Sequence, residues 1–306
     1  MRNRTALLIL ILMPVLCLFS YSYSYADYIG KVPLRTLYLN DSGDTEDTSP
    51  RSEATLNPTT KGLNFHLVGN SDKTPYTYAI AEGDIAGHTP VRRFGINPDV
   101  GTAAETVDPT SDLYVYLTVA ETLVIASTDG ADTIGGLGLQ VVFVQGLSAT
   151  GVLQSETVGM QGTDNVSTTK EYLQVLAFYS NTVGDSFVNL GEVTLKAGIN
   201  TVQRIEIGEG RSNFAIFCVP TGYTFYMTDW HGSEASSKGS DVSMWKKGSS
   251  YGWQKIRAVS VLDNDFRIPF DVPLRFESGE CIEVRAVAII SGATVTSGFY
   301  GWMETN

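Results

Sequence analysis

What this 306-residue chain has little of narrows its chemistry first. It holds three cysteines and three histidines, and only Cys218 and Cys281 lie beyond the first 26 residues. Two cysteines are no disulfide framework, and His66, His88 and His231 are too scattered to form a local metal motif. No G-x-S-x-G, H-E-x-x-H or phosphate-cradling glycine loop occurs, which leaves out the nucleophile-elbow, zincin and P-loop enzymes. Charged residues make up only 18% of the chain against 43% hydrophobic, a balance foreign to a disordered tail. The longest apolar run falls short of the roughly 20 residues a membrane-spanning helix needs. Positive charge is scarce as well: 21 Lys and Arg stand against 33 Asp and Glu, a net charge of −12. A chain this acidic repels nucleic acid and anionic lipid, so direct genome binding is not expected.

What is there favours strands and turns. Thirty glycines and fifteen tyrosines accompany many Thr and Val residues. Period-two segments run through residues 113–120, 122–126, 139–145, 153–160, 172–179, 187–196 and 202–207. A second series covers 213–219, 223–230, 241–245, 253–262, 268–276, 281–290 and 298–303. Turns such as Thr128-Asp129-Gly130 separate them, and no stretch sustains helical spacing. The expectation is an all-β chain of two β-sandwich, jelly-roll-like domains in series. They would span 76–207 and 208–306, divided at Gly208-Glu209-Gly210. One large sandwich with long loops is the alternative. The stretch 81–101, AEGDIAGHTPVRRFGINPDVG, is aperiodic and is expected to hold at best a short strand.

The N-terminus reads as a targeting segment. Arg2 and Arg4 precede an apolar core over 6–19, broken by Pro14, and Ser24-Tyr25-Ala26 offers small residues for cleavage. Loss of residues 1–26 would remove two positive charges and move the net charge from −12 to −14. Residues 27–75, rich in Asp, Ser, Thr and Pro, read as an extended acidic arm with one short strand at 34–39.

Candidate chemistry is thin, and no catalytic residue, cofactor or metal is assigned. Asp229, His231 and Glu234 in D-W-H-G-S-E have a spacing that gathers metal ligands at a strand end. Without a second His or Cys cluster the expected use is a polar loop. Asp263-Asn264-Asp265 lacks the glycine and remaining ligands of a calcium loop and reads as a β-turn. Tyr223, Phe225, Tyr226, Trp230, Trp245, Tyr251 and Trp253 form an aromatic set suited to sugar stacking or an interface. Alternation puts Tyr223 and Phe225 on one face and Tyr226 on the other, which favours a core or interface use. Alternation also puts Cys281 with Glu283 and Arg285, but Cys218 with Phe214 and Ile216, so two free thiols are expected.

Several of these segments also carry a resemblance. Gly83-Asp84-Ile85-Ala86-Gly87-His88, followed by Phe94-Gly95-Ile96-Asn97, resembles the "G-x-I-x-G-H … F-G-x-N-x-x-V" string of marine tailed-bacteriophage virion structural proteins. Residues 127–147, STDGADTIGGLGLQVVFVQGL, are similar to that family's Gly-rich hairpin, with Gly135, Gly136 and Gly138 at its turn. The 154–158 strand, the Val219-Pro220-Thr221-Gly222 turn, the 277–286 strand and Ser297-Gly298-Phe299 follow in the same order. The likeness covers about residues 76–303, whereas the leader and acidic arm stand outside it, as does the missing aromatic insert after Gly101.

The resemblance implies a non-enzymatic capsid decoration or head-fibre subunit that docks on a shell and stabilises it. Its partners would be the major capsid protein or other virion proteins, with no nucleic acid, and its place the virion surface. A homo-oligomer, with a trimer favoured, would be its state. In that setting His88 would tie down backbone. The alternative is a tail-fibre or exported carbohydrate-binding or adhesin module. That module would be periplasmic or extracellular after leader cleavage, with a host-surface glycan as ligand.

Overall fold

The computed structural model describes residues 53–56, 63–66, 75–110 and 112–306. The leader and the strand expected at 34–39 lie outside the described residues. The chain divides into two units, Met1–Pro75 and Tyr76–Asn306. In the first, β1 (Glu53–Leu56) pairs antiparallel with β2 (Leu63–His66).

The second unit is all-β apart from one short helix. It begins with α1 (Tyr76–Glu82), β3 (His88–Val100) and β4 (Glu105–Thr106). Next come β5 (Glu121–Ser127), β6 (Leu139–Leu147), β7 (Leu153–Gly159), β8 (Val166–Tyr172), β9 (Gln174–Val183), β10 (Val193–Ala197) and β11 (Asn200–Ile205). The chain closes with β12 (Ile216–Cys218), β13 (Tyr223–Glu234), β14 (Ser240–Gly248), β15 (Tyr251–Val261), β16 (Asn264–Phe276), β17 (Cys281–Ala288) and β18 (Ala293–Thr305). No described helix is long and apolar enough to cross a membrane.

Four antiparallel sheets result, in the orders β11-β10-β5-β8, β7-β6-β9, β12-β17-β14-β15 and β16-β13-β18-β3, with β4 added beside β17. Two large apolar clusters and a small one of Tyr114, Phe214 and Ile216 hold them. Leu123, Ile125, Leu195 and Ile205 from the first sheet meet Val142, Val144, Val158 and Phe178 from the second. Phe217, Met244, Ile282 and Val284 from the third meet Phe225, Trp230, Phe276 and Phe299 from the fourth. Each of these large side chains stabilises the fold by about 1.5–3 kcal/mol through burial.

Burial in β13 alternates, but the phase changes once. Phe225 and Met227 point inward, and after the register shift between Met227 and Asp229 the inward set becomes Trp230, Gly232 and Glu234. An extra residue in one strand reverses the faces beyond it. That is how Phe225 and Trp230, an odd number apart, share one core.

Several expectations from the sequence change here. The 81–101 stretch contains a strand of 13 residues, β3, preceded by a helix. β3 escapes a periodicity search because only Val91, Gly95, Asn97 and Val100 are buried along it. Residues 113–120 form no strand; the segment crosses the molecule with Tyr114 buried. The 187–196 segment shrinks to β10, and the polar β8, VSTTKEY, was not foreseen. β3 pairs with β18 and β4 with β17, so strands from before residue 107 complete sheets made after residue 213. The two halves of the sequence are therefore interleaved at these sheets.

The cysteines pair as well. Cys218 on β12 faces Cys281 on β17 in register, and the two are joined by a disulfide with Cα atoms 4.0 Å apart. Alternation within each strand misled here because facing residues on neighbouring antiparallel strands share a side whatever their sequence neighbours are.

Candidate functional site

The motif residues act mainly as joints. Gly95 sits where β3 crosses the chain; a Cβ there would overlap the Val107 carbonyl oxygen and the Ala215 amide. Asn97 beside it is fully buried and donates from Nδ2 to Glu105 Oε2 at 2.9 Å and to the Thr106 carbonyl at 3.3 Å. Phe94 is exposed and bridges in register to Phe214. Gly87 leads into His88, whose Nδ1 donates to the Ala86 carbonyl at 3.1 Å. Its Nε2 lies 2.8 Å from the Tyr76 hydroxyl and 3.1 Å from Glu304 Oε1. Pro220 and Gly222 form the turn into β13, where Tyr223 N donates to the Pro220 carbonyl.

The Gly-rich segment expected as a hairpin is instead a loop between β5 and β6, which lie in different sheets, and it is organised by a residue that sequence reasoning missed, Asp132. Its fully buried carboxylate accepts from Ser127 Oγ at 2.6 Å, Leu139 N at 2.7 Å, Leu190 N at 2.9 Å and Gly191 N at 2.8 Å. Gly138 lies against it, and a Cβ at that position would occupy the space of the Asp132 carboxylate. Exposed Gly135 and half-buried Gly136 lie in the turn between Asp132 and Gly138. Asn189 adds a second stake, donating to the Gly191 and Glu206 carbonyls at 2.7 and 2.8 Å. The signal was present as the Asp in A-D-T, which looks like any turn carboxylate until its four donors are seen.

The aromatic set is divided three ways. Phe225 and Trp230 are fully buried, with Trp230 Nε1 donating to Ser297 Oγ at 2.9 Å, and Tyr223 packs against the same core. Trp245 and Trp253 flank the Arg285 guanidinium at 4.9 and 4.6 Å, and Lys247 sits 3.5 Å over Tyr116. Arg285 in turn binds Glu283 through Nε at 2.8 Å and Nη2 at 3.2 Å. The nearly fully buried Glu283 also accepts from Thr106 Oγ1 at 2.7 Å and Tyr116 O–H at 3.1 Å. This network clamps the crossing segment onto the third sheet, and burial among these rings lowers the Lys247 pKa. The two tryptophans are thus committed to internal cations. Tyr251 donates to Glu280 at the edge of the same sheet.

Tyr226 lies on the outer face of the β16-β13-β18-β3 sheet. Cross-strand register lays Arg275, Tyr226, Trp302 and Pro90 in one row. Asp229, Tyr300 and Arg92 make the next row, and Arg267, His231, Gly298 and Phe94 a third. Tyr226 stacks on Trp302 at 5.7 Å, and the His231 ring lies 4.5 Å from Tyr300. Tyr76 from α1 meets Trp302 edge-on at 5.5 Å. Between α1 and the sheet lies a cavity of about 340 Å³, lined by Ile80, Pro90, Arg92, Thr228, Tyr300 and Trp302 among others. Neither Tyr300 nor Trp302 stood out in the sequence, because β18 reads there as a short closing strand.

The acidic candidates have structural partners. His231 Nδ1 donates to Asp229 Oδ1 at 2.8 Å, and Arg267 Nε to Asp229 Oδ2 at 2.6 Å. Glu234 lies beyond the phase change on the opposite face and accepts from Ser236 Oγ, Ser236 N at 2.7 Å and Asp263 N at 2.8 Å. Burial alone would raise the Glu234 pKa, but these donors outweigh it and hold it down to about 2. Asp263 lies in the turn between β15 and β16. Among the described residues no three His, Cys, Asp or Glu side chains gather as metal ligands would.

No protein-family model matches the chain, and no curated protein matches it by sequence. Among solved structures, that of infectious bursal disease virus Gt strain aligns at 9% identity and a TM-score of 0.12, covering 76% of this chain and 87% of that one. The Gx strain aligns at 9% identity and 0.12, covering 71% and 80%. Superpositions this loose carry no inference about fold or function.

Proposed function

We propose that this chain is a non-enzymatic structural subunit displayed on a virion, docking on the shell as a decoration or head-fibre component. The observation that carries the reading is the use made of the motif residues. Gly87, His88, Gly95, Asn97, Gly138, Pro220 and Gly222 serve crossings, turns and tethers, and the Asp within the Gly-rich motif ties its own loop to the segment before β10. A pattern spent on joints suits a rigid body whose work is to hold shape. In the finer architecture we infer two face-to-face sheet pairs, jelly-roll-like in character, with Leu147 and Leu176 of the second sheet joining the core of the other pair. A homo-oligomer with the major capsid protein as partner follows from the same reading. Binding to the assembled shell alone would stabilise it by mass action. Particles banded from producing cells should contain the chain in fixed ratio to the capsid protein, and particles lacking it should open at lower temperature. Equal thermal release with and without the chain would overturn the stabilising role.

A second reading, an exported surface module, is favoured by one specific observation. The Cys218–Cys281 disulfide belongs to an oxidising compartment, as a leader over 1–26 would supply.

A further inference from the structure

The outer face of the β16-β13-β18-β3 sheet carries more chemistry than packing requires. Tyr300 is 42% exposed and Tyr76 is 50% exposed; Tyr76 and Tyr226 contact Trp302, and Tyr300 lines the same cavity as Trp302. Exposed aromatic surface of this kind marks a place where something binds. The cavity beside it, about 340 Å³, falls in the range of small-ligand sites and has both apolar walls and polar groups. Arg92 is the one charged residue among those that line it. Outside the lining, Asp229 is paired by Arg267, and Glu304 accepts from Trp302 Nε1 at 2.8 Å and lies 3.1 Å from His88 Nε2. Arg92, exposed at the rim, makes no ion pair among the described residues. Acidic groups elsewhere on the chain are screened beyond about 8 Å at physiological salt, so Arg92 sets the preference here.

We propose that this face binds an acidic sugar, a carboxylate-bearing pyranose of the hexuronate class, with its ring against Tyr300 and Trp302 and its carboxylate on Arg92. Flat aromatic faces take the C–H side of a pyranose by burying apolar surface without demanding polar partners. A guanidinium with its forked donors suits a carboxylate held in plane. Thr228 and Thr77 stand near enough to the cavity to serve ring hydroxyls. The aromatics that the sequence offers for this purpose, Trp245 and Trp253, are committed to Arg285, which leaves the β13–β18 face as the available platform.

The site needs only a face open to solvent, which both readings above provide, and its test is separate from theirs. The full chain is titrated with sodium glucuronate and with glucose, read by saturation-transfer NMR and tryptophan emission. Saturable binding of glucuronate, stronger than that of glucose, is expected. Arg92→Gln should weaken glucuronate roughly tenfold and bring it to the level of glucose, while Tyr300→Ala should weaken both sugars. Both side chains are exposed, and unfolding midpoints matching the parent would exclude misfolding as the cause. No saturable glucuronate signal, equal binding of the two sugars, or binding indifferent to both substitutions would overturn the proposal. A chain found in particles but silent to glucuronate overturns this site and leaves the virion reading standing; a chain absent from particles but binding glucuronate does the reverse.

Discussion

Asp108 and Asp132 are both buried carboxylates near loops, and they have opposite consequences. Asp132 has four donors, so removing it strands three backbone amides and a hydroxyl in the interior. Asp132→Ala should cost about 3 kcal/mol or more, read as a drop in the urea midpoint, and Asp132→Asn should cost less because one oxygen remains to accept. An unchanged midpoint would remove Asp132 from its role as anchor. Asp108 accepts only from Thr110, through N at 2.7 Å and Oγ1 at 2.5 Å, and its Oδ2 has no partner among the described residues. Burial raises its pKa, the Thr110 bonds pull it partly back, and it settles at about 7 against 3.8 unperturbed. The folded state therefore binds the proton more tightly than the unfolded chain. Its contribution to stability is full below about pH 4, falls as pH rises, and is lost by about pH 7. Asp108→Asn should flatten that slope and raise the thermal midpoint at neutral pH. A variant with the parent's pH profile would contradict the assignment.

At the scale of elements, the short β12 is held to β17 by three register pairs and the disulfide that ends them. The bond closes a sequence separation of 63 residues, so the chain-entropy account gives it about 4 kcal/mol. Reduction, or Cys218→Ser with Cys281→Ser, should lower the unfolding midpoint substantially while leaving the far-ultraviolet strand signal at low temperature. A midpoint insensitive to reduction would mean that the bond adds nothing to the fold. This element also shows what was legible in the sequence. Strands with one buried face, such as β5, β6 and the two halves of β13, are legible because alternation reports burial. β3 and β8 are not, since their neighbours are backbone, buried asparagine or solvent, which leave no apolar period. The bulge in β13 hid the partnership of Phe225 and Trp230, and the disulfide hid in strand pairing, which no local pattern records.

Across the whole second unit, function was less legible than fold, because the candidate site is assembled from α1, β3, β13, β16 and β18 rather than from one motif. Its aromatic rows exist only once register places Tyr226 beside Trp302 and Tyr300 beside Arg92. Of the residues that the sequence marked out, Gly95 and Asn97 are joints on β3, one strand of that face. The central claim is that this rigid β body belongs to a virion surface, and intact mass spectrometry of the chain from purified particles, without reduction, tests it most directly. The account predicts the chain in those particles, with its mass lowered by the hydrogens lost in joining Cys218 to Cys281. A mass beginning at Asp27, found in a periplasmic or secreted fraction with none in particles, would contradict it.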